Sequence, residues 1–313
     1  MPQILGHHHI SMFAKNARQN KQFYTELLGL RLVKKTVNQD TPSMYHLFYG
    51  DEVGTPGTEL TFFELPQAGH TVRGTNAIDT IGLLVPSSDS LSFWAARLSD
   101  HGLQHSGIIA YGPYEAIKFE DPDHLTLVLL SNEGKATPER WTPWNQSPVP
   151  REHAILGMGA INITVRSMAL SVQLLTGLLG YTIIHQTESQ TTLQAVKGEH
   201  WGEIIVTEQQ GEAARPGKGS VHHLALTVAD KEELNKWDNL LKHYGIRTTG
   251  VIDRYYFASL YFHDPNDILY ELATDGPGFT IDCDSSELGT RLDLPPFLEQ
   301  DRAAIEANLQ PLD

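Results

Sequence analysis

Residues 78–128 open with Ile78-Asp79-Thr80-Ile81-Gly82-Leu83-Leu84-Val85, pass through Phe119-Glu120-Asp121-Pro122 and end at Leu127-Val128. They lie without a gap on residues 221–271: Val221-His222-His223-Leu224-Ala225-Leu226-Thr227-Val228, then Phe262-His263-Asp264-Pro265, then Tyr270-Glu271. The offset is 143 throughout, with His101-Gly102 on Tyr244-Gly245 and Gly107 on Gly250. Self-similarity of this length marks a duplicated structural unit, and the rest of the chain has to be read against it. A second pair appears at offset 151, where Phe23-Tyr24-Thr25-Glu26-Leu27-Leu28-Gly29-Leu30 matches Leu174-Leu175-Thr176-Gly177-Leu178-Leu179-Gly180-Tyr181. Carried back to the preceding strand, it sets His8-His9-Ile10 against Gly159-Ala160-Ile161.

Within each unit a short alternating strand precedes an amphipathic helix that ends near a glycine, and further strands follow. In the first unit the spacing predicts a helix from about Asn16 to Leu28, with Gly29 as its C-terminal cap. Strands are predicted over 30–37, 45–49 and 58–63, broken by Asp40-Thr41-Pro42 and Gly54-Thr55-Pro56-Gly57. Each unit is therefore βαβββ, and the fold class is α+β: four βαβββ modules forming two cup-shaped sheets. The expected boundaries are an N-terminal domain over 1–133 (modules at about 7–66 and 75–132) and a linker over 134–152, where prolines cluster. A C-terminal domain over 153–275 follows (modules at about 154–209 and 219–274), then an acidic tail over 276–313 with one short helix from Pro296 to Asn308.

Alternate residues of a strand point to opposite faces. In the first strand of every unit one face is apolar: Ile10 and Met12; Ile81, Leu83 and Val85; Ile161, Ile163 and Val165; Leu224, Leu226 and Val228. The opposite face carries His9 and Ser11 in unit one, Thr80 and Gly82 in unit two, Ala160 and Asn162 in unit three, and His223, Ala225 and Thr227 in unit four. On the last strand of unit four, Ile268, Tyr270 and Leu272 take the helix side, so Glu271 shares the open face with His223. The gapless copy has Val128 in its place. Two neutral imidazoles and one carboxylate on a concave sheet form the facial set associated with non-haem Fe(II), which leaves positions open for substrate and O2; Mn(II), Co(II) or Zn(II) would also be accepted. For His9, His223 and Glu271 to meet, units one and four must build one cup together, leaving two and three for a second cup without metal.

The formal charge of -15 excludes nucleic acid and anionic membrane surfaces as natural partners. Hydrophobic content of 40% and charged content of 19% are those of a globular protein. No apolar run approaches the roughly 20 residues of a spanning helix, and a secretory leader is not evident. The expected location is the cytoplasm and the expected partner a small organic molecule, with homo-oligomerisation open. Cys283, the one cysteine, cannot form an internal disulfide.

His8-His9-Ile10, Leu32-Val33-Lys34-Lys35-Thr36, Tyr45-His46-Leu47-Phe48-Tyr49-Gly50-Asp51-Glu52, Gly54-Thr55-Pro56-Gly57-Thr58, His222-His223 and Glu271 together resemble the hydroquinone-type ring-cleaving dioxygenases. These belong to the vicinal oxygen chelate group, the superfamily of glyoxalase, bleomycin resistance proteins and extradiol dioxygenases. The resemblance covers nearly the full chain. It implies Fe(II)-dependent insertion of O2 into a hydroquinone or related aromatic diol, metal ligands at His9, His223 and Glu271, and supporting or substrate-contacting residues at His8, Ser11, His222, Arg254 and Tyr261. In that reading Tyr261, Arg254, His8 and His222 serve catalysis, while Ser11, Arg254 and Tyr261 bind substrate. Ideal alternation would aim His8 and His222 away from the cup.

Blander readings stand beside these. His7-His8-His9 could be a tag remnant, paired histidines can be structural, and Arg254 and Tyr261 could be packing residues. Glu64 aligns with Glu271 within its own unit. It is either a solvated strand end, like Glu208, or a fourth ligand suited to a glyoxalase I-like lyase or isomerase. His46, His105, His124 and His263 are expected to be solvent or second-cup residues. A third possibility is a metal-free protein that sequesters a planar aromatic compound.

Overall fold

The computed structural model describes residues 2–312 and contains the four modules. Module one comprises β1 (His7–Ala14), α1 (Ala17–Gln22), β2 (Arg31–Asn38), β3 (Thr41–Gly50) and β4 (Glu59–Glu64). Module two comprises β5 (Ala77–Val85), α2 (Ser88–Asp100), β6 (His105–Tyr111), β7 (Tyr114–Glu120) and β8 (Thr126–Ser131). Module three holds β9 (Gly157–Val165), α3 (Met168–Gly177), β10 (Thr182–Gln186), β11 (Gln190–Gln194) and β12 (Glu203–Glu208), and module four β13 (Val221–Val228), α4 (Lys231–His243), β14 (Ile252–Asp253), β15 (Ala258–His263) and β16 (Leu269–Thr274). Helix α1 starts where expected because the Asn16 side chain accepts from Gln19 N–H at 2.8 Å. It then widens into one π-helical turn over Phe23–Leu27. Strand β3 begins at Thr41, so the predicted break at Asp40-Thr41-Pro42 is only the tight turn of the β2–β3 hairpin.

Two eight-stranded sheets result, in the orders β14-β15-β16-β13-β1-β4-β3-β2 and β10-β11-β12-β9-β5-β8-β7-β6. Modules one and four share the first and modules two and three the second, as the ligand argument required. Each sheet thus takes one module from each half of the chain. The apolar faces of β1, β5, β9 and β13 lie with Trp94, Trp237, Leu175 and Tyr24 of the helical segments in one continuous core. That core runs across the 134–152 boundary, and this segment is itself packed. Trp141 is buried and donates from Nε1 to Pro56 O at 3.0 Å. Its indole lies so close to Gly57 (φ +96) that an added Cβ would sit 2.3 Å from a ring carbon.

The tail is also docked. After two short turns, residues 296–301 form a 3-10 turn and α5 (Arg302–Asn308) follows, matching the predicted helix. Phe279 and Leu288 enter the concave side of the first sheet, against Val33, Phe48, Ala225, Phe257 and Ala273. Lys34, fully buried, reaches Asp282 Oδ1 and Asp293 Oδ2, each at 2.8 Å. Burial would depress this ammonium, but the two carboxylates outweigh it and raise its pKa. No helix among the described residues is long and apolar enough to cross a membrane.

Candidate metal centre and its cavity

Strands β1 and β13 run side by side and antiparallel, and their register slips twice. His7 to Ile10 on β1 spans one residue more than its partner stretch Leu226 to Leu224. Val221 to His223 on β13 likewise spans one more than Met12 to Ser11. Each slip is a β-bulge, and each falls on a histidine pair. A bulge interrupts the two-residue alternation and re-aims a side chain. His8 and His222 therefore lie beside His9 and His223 instead of turning away. The same two slips recur between β5 and β9, at Asp79 and at Gly159-Ala160. The bulges thus belong to the fold, and the histidines are what modules one and four add to it.

His9 Nε2 lies 3.2 Å from His223 Nε2 and 3.1 Å from Glu271 Oε2, and His223 Nε2 lies 2.8 Å from the same oxygen. All three residues are buried, at 2%, 4% and 0% exposure. Glu271 Oε1 accepts from Ser259 Oγ, whereas Oε2 is buried without a well-directed hydrogen bond despite the two nearby nitrogens. Three lone pairs thus converge on one point, an arrangement costly in itself and relieved by a cation. Cis ligands of an octahedron with bonds of about 2.1 Å stand about 3.0 Å apart, and those of a tetrahedron about 3.4 Å. Separations of 2.8, 3.1 and 3.2 Å are short enough for one ion to touch all three atoms.

The neighbouring histidines fix the tautomers. Thr274 O can only accept, so His8 Nε2, 3.0 Å away, carries a proton. Neutral His8 then presents a bare Nδ1, which accepts from His9 Nδ1–H at 3.0 Å and leaves the His9 Nε2 lone pair free. In module four, His222 Nδ1 and His223 Nδ1 are 2.7 Å apart, in the same relation. Burial, with His9 adding to it, pushes the His8 imidazole down to about 3; burial and His223 push His222 down to about 4. Both stay neutral at pH 7.

A cavity of about 690 Å³ opens above these atoms. Its walls include Phe13, Phe48, Phe63, Phe257 and Val37, with Ser11, His46, His222, Arg254 and Tyr261 as polar points. Tyr261 pairs with Glu271 across β15–β16 and meets the His223 ring edge-on at 5.5 Å. Burial and Glu271 raise its phenol, which stays protonated. The Arg254 guanidinium stands 5.7 Å from the Tyr261 ring centre and pairs with Asp40 at 3.0 Å, so that modules four and one meet at the mouth. Ser11 Oγ lies 2.7 Å from Thr61 Oγ1. All eight site residues expected from sequence thus gather around one cavity or directly behind it.

Other expectations need correction. Ile10 pairs with Leu60 on β4, as the equivalent Leu224 pairs with Tyr270 on β16, so the counterpart of Glu271 in module one is Thr61. Glu64 lies three residues further on, where its carboxylate accepts from Ala17 N–H at 2.8 Å and closes the start of α1. Glu208 does the same for Met168 N–H at 2.9 Å. Glu64 is therefore neither a fourth ligand nor a solvated strand end. His46 and His263, expected to be solvent or second-cup residues, both line the cavity. Ser259, which holds the carboxylate, and Phe257, whose ring lies 5.1 and 5.2 Å from His8 and His9, carried no sequence signal. The second cup has Ala160, Thr80 and Val128 at the three ligand positions. Its polar floor is self-contained: Asp79 accepts from Thr80, Asn162 and Thr164.

The chain belongs to the Glyoxalase/Bleomycin resistance protein/Dioxygenase superfamily, whose description matches residues 6–129 and 157–272. Among individual relatives, it is 44% identical over 317 residues to MhqA of Bacillus subtilis strain 168, provisionally named a ring-cleaving dioxygenase, covering 99% of both chains. It is 28% identical to the chlorohydroquinone/hydroquinone 1,2-dioxygenase of Sphingobium indicum, covering 95% of this chain and 93% of that one. A crystal structure from Bacillus subtilis, provisionally described as a dioxygenase, superposes with a TM-score of 0.93 at 31% identity, covering 100% of this chain and 99% of that one.

Proposed function

We propose that this protein is an Fe(II)-dependent ring-cleaving dioxygenase acting on a hydroquinone or related aromatic diol. The observation that carries the reading is the convergence of His9 Nε2, His223 Nε2 and Glu271 Oε2 beneath an aromatic-walled cavity. Relatives named as ring-cleaving dioxygenases over nearly the whole chain support it. Those three residues would hold the metal, which supplies acidification of a bound hydroxyl and a site for O2.

The protein's own groups perform the rest. His8 and His222 keep the ligand imidazoles in the tautomer that turns Nε2 inward. Ser259 orients Glu271. The phenylalanines exclude water and hold a planar ring against the floor. Ser11 offers a hydroxyl beside His9, and Tyr261 an un-ionised phenol that can give a proton near Glu271. Arg254 places fixed positive charge where an anionic ring or product would lie.

Reconstitution with Fe(II) under anaerobic conditions, followed by O2-uptake measurements with hydroquinones, catechols and a hemithioacetal, tests the proposal. Uptake with a diol is expected, and none from His223→Ala, which should bind no iron. Turnover of the hemithioacetal without uptake would replace this reading by the lyase one, even though Glu64 is engaged at α1.

A further inference from the structure

The module equivalence carries one step further. Two residues beyond the ligand position, Ala273 pairs with Ser259 in module four and Phe63 pairs with His46 in module one. His46 is therefore the counterpart of Ser259. Ser259 bonds to Glu271, and His46 Nε2 correspondingly lies 3.0 Å from Thr61 Oγ1, which is tied to Ser11. Where module four fixes a carboxylate through Ser259, module one fixes an imidazole against a hydroxyl.

The His46 ring is held between Phe48 and Phe63, at centroid distances of 4.0 and 4.1 Å. Its Nε2 is engaged, while Nδ1 has no protein partner among the described residues and the ring lines the cavity. Burial lowers the imidazole well below its ordinary value, so it is neutral: one nitrogen donates and the other accepts. The Ser11–Thr61–His46 chain can run in either direction, because each hydroxyl can turn its proton either way. Nδ1 can therefore accept from a ligand hydroxyl or donate to it.

Resting on the dioxygenase reading, we infer that His46 is the residue that recognises the second hydroxyl of the diol, the one not at the metal. A hydroxyl pressed against the surrounding phenylalanine wall without a partner would lose its hydration uncompensated. His46 is the polar group set between Phe48 and Phe63 in that wall. It is a substrate-binding residue that selects diols over monophenols.

The test is equilibrium binding to the Fe(II)-loaded protein without oxygen, by titration calorimetry with hydroquinone and with phenol, which lacks the second hydroxyl. The native protein should prefer hydroquinone by about tenfold or more, the worth of one well-placed hydrogen bond. His46→Leu should bring that preference to near unity and leave phenol affinity within about twofold. Thr61→Val, which keeps shape but frees Nε2, should lower the preference severalfold and controls for misfolding of the leucine variant. Iron content checks the centre in both. Variants that bind hydroquinone with the full native preference overturn the inference and leave the dioxygenase reading standing. Native protein that binds neither compound overturns both.

Discussion

Lys34 gives the most direct measure of what the C-terminal tail contributes. Lys34→Met removes the ammonium but keeps the length of the side chain, leaving Asp282 and Asp293 facing each other. Removing one partner of a buried ion pair costs about 3–5 kcal/mol, because the remaining charge is uncompensated. Here the lower end applies. Asp293 keeps a 2.8 Å bond from Arg291 Nε, and Asp282 keeps the Tyr256 hydroxyl at 3.0 Å. A loss of about 3 kcal/mol in a chain of this size lowers the melting temperature by roughly 5 °C. Loosening should also open residues 276–301 to limited proteolysis, since Phe279 and Leu288 lie behind Phe257. Adding Asp282→Asn and Asp293→Asn should recover most of the loss, because the buried charges then go together. A single variant melting within about 1 °C of the native protein, with an unchanged digestion pattern, would refute the assignment of the tail to this ion pair.

Ser259→Ala should weaken Fe(II) binding by about 10- to 100-fold in an equilibrium chelator competition, since Glu271 loses its fixed oxygen. Unchanged affinity would remove Ser259 from the centre. Glu64→Ala should leave metal stoichiometry untouched while costing about 1 kcal/mol in denaturant unfolding, through the freed Ala17 N–H. Metal lost in proportion would return Glu64 to the ligand set. Acid should destabilise the metal-free protein below pH 6.5. Burial lowers His7 to about 4, so as pH falls the unfolded chain takes up the proton first. Stability is complete above 6.5 and declines toward pH 4, by on the order of 3 kcal/mol from this residue. His7→Gln should flatten that part of the unfolding curve, and an unchanged slope would exclude His7 as its source.

The convergence of His9, His223 and Glu271 was legible because a strand's two-residue period needs no knowledge of its partners. The pairing of modules one and four then followed from the need for His9 to meet His223. The orientation of His8 and His222 was not legible, because a bulge is a mismatch between two strands and neither strand alone contains it. Glu64, and not Thr61, aligns with Glu271 by sequence because loop lengths differ after α1, which shifts the match three residues along β4. His46 was hidden for a related reason: its place depends on how the β2–β3 hairpin folds over the sheet. The docking of the tail rests on single residues, Phe279, Leu288 and Asp293, in a stretch without periodicity.

The distribution of modules between the sheets also orders events during synthesis. Modules two and three are adjacent in the chain, so the sheet without ligands can be completed once β12 has been made. Its partner must wait for β13 and β16, and at roughly 5–20 residues per second His9 remains uncommitted for tens of seconds before Glu271 emerges. Meanwhile β1 presents an open edge, the kind of surface on which nascent chains associate wrongly. The finished sheet thus becomes a template already attached to the growing chain. A chain cut short between β12 and β16 would carry one finished sheet and would lack Glu271, the last of the three residues proposed to hold the metal.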